Sequence, residues 1–140
     1  MTTDQHVIGP HAALIYTMVL AAAADNDISD RELKLMGNLI NTLPVFADYD
    51  SDKLPQVCSD CARVLEHEEG LETVLGLVRD TLPPALRETA YLLACEVAAI
   101  DRHLGQEELR LLELVRHRLD IDRLHAAALE RAVRARMATA

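Results

Sequence analysis

Seven stretches of this chain carry apolar residues at the three-and-four spacing of an α-helix, and none alternates with the period of a half-buried strand. That contrast points to an all-α architecture. The punctuation agrees with it. Pro10 opens the first stretch, Pro44 ends the second, Pro55 stands near the start of the third, and Pro83–Pro84 divides the fourth from the fifth. Proline has no amide to donate and suits only the first turn of a helix. Gly70 breaks the third stretch from the fourth. The spacing predicts helices over Pro10–Asp25, Asp30–Leu43, Lys53–Glu68, Leu71–Leu82, Pro84–Ile100 and Gln106–Leu119, with a last helix capped by Asp122 and reaching Met137. Half of the 140 residues are hydrophobic, which supplies one core. Residues 1–9 read as an N-terminal tail and 10–138 as one compact helical bundle.

Within the first helix Leu14, Ile15, Met18, Val19 and Ala22 form an apolar stripe; in the second, Leu33, Met36, Leu39, Ile40 and Leu43 face inward. The fifth, with "AYLLACEVAAI", is the most apolar and is expected to be central. "VFADYDSD" reads as a polar connector.

A shift of 76 residues lays "ADNDISDREL" (24–33) over "IDRHLGQEEL" (100–109). Asp25 then matches Asp101, Ile28 matches Leu104, Glu32 matches Glu108 and Leu33 matches Leu109. Each copy joins two apolar helices through a short turn, so two hairpins with one kind of corner form an internal pseudo-repeat. Turn-making explains much of the corner. Ser29 and Glu32 have the spacing of a capping box, with Gly105 and Glu108 in the same places in the second copy. Ile28 and Leu33, like Leu104 and Leu109, are spaced for a hydrophobic staple. Asn26 suits a left-handed residue ending the first helix.

Asp25 and Asp101 are not explained by turn-making. Each falls at a helix C-terminus, where the macrodipole disfavours a carboxylate by roughly 0.5 kcal/mol. Amides of the next helix could compensate, and so could a cation. Asp25, Asp27, the Ser29 oxygens and Glu32 are closely spaced hard donors of the kind Ca²⁺ or Mg²⁺ accepts. The spacing is not that of an EF-hand, and one turn cannot fill six to eight coordination places. A second segment would have to contribute, and Asp101 and Glu108 are placed to do so if the corners meet.

The pattern A-x-x-D-[GN]-x-h-x-x-x-E at these corners, "AAADNDISDRE" (22–32) and "AAIDRHLGQEE" (98–108), resembles the TerB family of tellurite-resistance proteins. The resemblance implies a bundle of about seven helices and an acidic face tied to divalent-cation binding (Ca²⁺, Mg²⁺, Mn²⁺ or Zn²⁺). It also implies a cytoplasmic, non-enzymatic role in metal or stress response beside protein partners, membrane-associated ones among them. By position the acidic motif falls on Asp25 and Glu32 and on Asp101 and Glu108, with Asp27 beside the first pair. The second copy departs from the pattern: Arg102 and His103 stand where small and acidic residues are usual, and Arg102 is able to neutralise nearby carboxylates itself.

Charge separates the partner classes. Residues 1–109 hold 7 Lys+Arg and 19 Asp+Glu, a net −12, whereas 110–140 hold 7 Arg and 4 Asp+Glu, a net +3. An acidic body argues against nucleic acid, which needs clustered positive charge. "MTTDQHVIGPH" lacks the basic residues of a signal peptide, and the apolar run after it is too short to span a bilayer, so a cytoplasmic protein without membrane insertion is expected. An acidic face docking a basic protein without metal is the alternative reading.

A weaker alternative is thiol redox or zinc chemistry at "CSDC", Cys58 and Cys61, with His67 and Cys95 as helpers. Against it, Val57, Cys58, Cys61, Ala62 and Leu65 make one apolar helical stripe. Glu96, inside the apolar fifth helix, has two readings: an extra ligand one turn before Asp101, or a member of an exposed strip with Ala85, Thr89, Leu92 and Ala99. No nucleophile elbow, phosphate loop or His-Glu-x-x-His motif is present, so catalysis is not expected.

Overall fold

The structure is a computed structural model that describes residues 7–25, 28–100 and 105–140; the Asp25 side chain falls outside that set. Among the described residues there are seven α-helices and no strand: α1 (Pro10–Ala22), α2 (Asp30–Thr42), α3 (Leu54–Leu65), α4 (Gly70–Thr81), α5 (Pro84–Ala99), α6 (Gln106–Arg118) and α7 (Arg123–Met137). Short 3₁₀ turns at Ala23–Asp25, Pro44–Phe46 and Ser51–Lys53 complete them.

The axis of the bundle is α1, not α5 as the apolar content suggests. Every residue from Ala13 to Ala22 is buried, so the expected single stripe is in fact an all-round apolar surface. Helices α2, α3, α4, α5 and α6 all pack on it. Buried Thr17 satisfies its hydroxyl by donating to Ala13 O at 2.9 Å, within its own helix. The largest interface joins α1 to α5, the first helices of the two repeated hairpins. Helix α1 also meets α6, and α5 meets α2, the reciprocal contacts of an approximate two-fold. Helix α7 lies outside this pair and packs on α5.

Several local details differ from the sequence pattern. Leu33 does not face in; it is 40% exposed, and Glu32, Met36, Leu39 and Ile40 take the inward stripe. The "polar connector" buries Phe46 completely enough to join the core, and His11 stacks between Phe46 and Tyr49 while its Nε2 lies 2.8 Å from Val45 O. Helix α3 ends at Leu65, and Gly70 opens α4 rather than merely interrupting the chain. A Cβ at Gly70 would stand 2.3 Å from Val64 O, so only glycine permits that close turn.

Arginines tie down helix ends. Arg79 donates to Arg118 O at 2.8 Å and to the Asp120 carboxylate at 2.7 Å, closing the C-terminus of α6 against α4. Asp120 itself is left-handed at φ 55°, the conformation that commonly terminates a helix. Arg87 donates to Leu82 O and Arg79 O, both at 3.1 Å, and so covers the last carbonyls of α4.

Candidate functional site

At both repeated corners a glutamate accepts the amide of the residue that opens the helix. Ser29 accepts the Glu32 amide at 3.1 Å, and Glu32 Oε1 accepts the Ser29 amide at 2.7 Å, a complete capping box. In the second corner Glu108 Oε1 accepts the Gly105 amide at 2.9 Å. Glycine has no side chain to return the bond, so only half of the box forms there. The two carboxylates therefore each commit an oxygen to the backbone.

The corners converge. Arg31, in the first turn of α2, donates from Nη2 to Ile100 O at 3.3 Å, across 69 residues, at the end of α5. On the other side, α6 packs against the 3₁₀ turn Ala23–Asp25. Helix–turn units distant in sequence thus touch at the end of α5 and at the end of α1. Of the other expected ligands, Asp27, Asp101 and the Asp25 side chain lie outside the described residues, as do Asn26, Arg102, His103 and Leu104. Among the described residues no group of three or more His, Cys, Asp and Glu side chains stands close enough to hold a metal.

A model of the family described as "Tellurite resistance protein TerB" matches residues 11–131, nearly the whole bundle. The chain belongs to the TerB family. No curated protein and no solved structure matches it in the same comparisons.

In this TerB protein the cysteines behave as core. Cys58, Cys61 and Cys95 are free and buried, and Cys61 donates weakly to Tyr16 O at 4.0 Å. Burial pushes the Cys58 thiol up and carries the Cys61 and Cys95 thiols to about 12. Such thiols stay protonated near neutrality, and the thiolate is the form that attacks disulfides and binds zinc. Tyr16, against the same cluster, is held at about 12, first by burial and then by Cys61.

Glu96 is not on an exposed strip. It is 3% exposed, and Arg136 Nε reaches from α7 to its Oε2 at 2.7 Å. Its Oε1 has no hydrogen-bond partner among the described residues. A buried carboxylate needs such a partner, and the sequence signal for it was faint: one arginine among several on α7, forty residues downstream. Glu96 and Ile100 are four apart, hence on one face of α5, so Glu96 lies one turn before the point where Arg31 arrives. The same α5–α7 seam holds a short bond from the Tyr91 hydroxyl to Glu130 Oε2 at 2.5 Å; burial first, then that bond, raises the Tyr91 hydroxyl far above its ordinary range.

No described helix is long and apolar enough to cross a membrane.

Proposed function

We propose that this TerB protein is a cytoplasmic, non-enzymatic binding protein whose paired corners hold a divalent cation, with Asp25, Asp27, Glu32, Asp101 and Glu108 as the ligand set. The reading is supported by one observation: the first turn of α2 and the end of α5 are joined by the Arg31–Ile100 bond. The donor set is all oxygen, which suits Ca²⁺, Mg²⁺ or Mn²⁺ ahead of Zn²⁺, a lover of nitrogen and sulfur. Buried Glu96, with one oxygen unsatisfied among the described residues, adds acidic density one turn upstream. A bound cation would supply charge neutralisation there. The protein's own part is positional: the backbone amide of Ser29 or Gly105 fixes each glutamate, and the α1–α5 interface sets the separation of the corners. In the family's setting, tellurite resistance and stress response, the cation-loaded face then meets protein partners, membrane-associated ones included.

The capping bonds favour a second reading, in which the same acidic face docks a basic partner without metal. Glu32 and Glu108 already serve the fold by accepting amides, which gives them a structural reason to be present.

Thermal melts separate the two. Chelator-treated protein is compared with protein in Ca²⁺, Mg²⁺, Mn²⁺ or Zn²⁺. An ion at about a hundred times its Kd contributes about 2.7 kcal/mol, or roughly 9 °C for a chain of this length. Asp25→Ala should abolish the rise. Melts that coincide in every metal reject the cation reading and leave the metal-free one.

A further inference from the structure

Helix α6 stands apart from its neighbours on one side, leaving an open groove of about 1030 Å³ between it and the α3–α4 turn. That volume is at the upper end of the roughly 300–1,000 Å³ of small-molecule sites. The floor is the C-terminal end of α1, with Val19, Leu20 and Ala23; Leu65 and Leu71 line one side and Leu111 the other. Leu71, at the mouth, is 37% exposed, a large apolar side chain that the fold leaves in water. Small residues on the floor and along the edge, Ala23, Ala24 and Ala62, permit close approach of another backbone.

The rim carries charge. Glu66 stands on the α3 side, and Glu107 and Glu113 stand on α6, all exposed. Arg110 and His117 are the rim's basic residues, so with His117 neutral the three carboxylates leave it negative. An apolar trough between helices, with carboxylates on both banks, has the form that receives an amphipathic helix with a basic polar face. We propose that this groove docks a partner protein through such a helix, its apolar stripe on Leu20, Leu65, Leu71 and Leu111, its lysines and arginines against Glu66, Glu107 and Glu113. The groove uses none of the proposed cation ligands, so this docking stands independently of the cation reading.

The probe is a synthetic peptide of about 14 leucines and lysines in amphipathic helical order, about four turns long, titrated into the isotope-labelled full chain by NMR. Shifts are expected at Leu20, Leu65, Leu71 and Leu111, with the peptide's affinity unchanged by chelator. The Leu71→Asn variant and the Glu66→Lys/Glu113→Lys variant, all at exposed positions, should each bind roughly tenfold more weakly. A matched leucine–glutamate peptide should not bind. Shifts confined to the α5–α7 side, equal affinity for the glutamate peptide, unchanged affinity in both variants, or self-association of the chain through Leu71 would each overturn the proposal. A wild-type-like amide spectrum for each variant checks that the fold is intact.

Discussion

Arg136→Ala tests whether an exposed guanidinium holds a buried carboxylate in place. The Glu96 side chain is 4% exposed and that of Arg136 is 61% exposed, so the pair is half in water. Two unit charges about 4 Å apart interact by about 4 kcal/mol at an effective dielectric of about 20, and solvent screening of the arginine lowers that figure. Removing one partner of a fully buried pair costs about 3–5 kcal/mol, because the other charge is stranded. The expected loss here is therefore about 2–3 kcal/mol, below the fully buried case. At about 2.1 cal/mol/K of unfolding entropy per residue, that is a drop in Tm of roughly 7–10 °C.

The assay is urea unfolding of the full chain, read as a change in midpoint at constant slope. Arg136→Met is the control for packing by the arginine stem; it should lose most of the same stability. Glu96→Gln should lose about 1 kcal/mol, and Glu96→Leu should be near neutral, since replacing a buried charge by an apolar side chain removes its desolvation cost. The double variant Arg136→Ala/Glu96→Gln should fall short of the sum of the singles by about 1–2 kcal/mol. If Arg136→Ala stays within about 0.5 kcal/mol of the parent, or the double variant is additive, the carboxylate is held by something other than this arginine.

Gly70→Ala places a Cβ 2.3 Å from a backbone oxygen that cannot rotate away, and a loss above about 2 kcal/mol in the same unfolding assay is expected; a parent-like midpoint refutes the close turn. Ser29→Ala removes the cap that accepts the Glu32 amide, at an expected cost of about 1 kcal/mol, and circular dichroism melts report it. His125 is raised above its ordinary 6.5, first by its bond to Glu88, so that contact stabilises the fold below pH 6.5 and fades as pH rises through the folded value. An NMR titration should find its midpoint above 6.5 and Glu88→Gln should bring it down; a midpoint at or under 6.5 in the parent contradicts the pairing. Asp122 is the opposite case. Amides of Leu124 and His125 hold its carboxyl below the ordinary value, so its capping of α7 persists above that value and is lost as acid protonates it. Asp122→Ala should therefore make the stability of α7 less sensitive to acid, as read by amide exchange.

Local chemistry made much of the fold legible. Helical spacing and proline positions located all seven helices, because a proline's missing amide and a capping serine act within one turn. The capping box at Ser29 and Glu32 was readable for the same reason, and so was the repeat of that corner around Gly105 and Glu108. The TerB resemblance rested on those two corners, and the match over residues 11–131 extends it to most of the chain.

Other features depend on contacts between distant segments. Periodicity alone put Leu33 inside, yet the packing of α2 buries Glu32 and exposes the leucine. Composition made α5 the central helix, although centrality follows from how many neighbours surround a helix, and α1 has more. Phe46 looked like part of a polar loop until His11 and Tyr49 folded over it. Amino-acid order alone settled how many helices there are and roughly where each lies, since proline and capping signals act within a few residues of one another. Only the tertiary structure settled which helix is central, which carboxylate is buried, and that the first turn of α2 reaches the end of α5, because each of these depends on the packing of segments tens of residues apart.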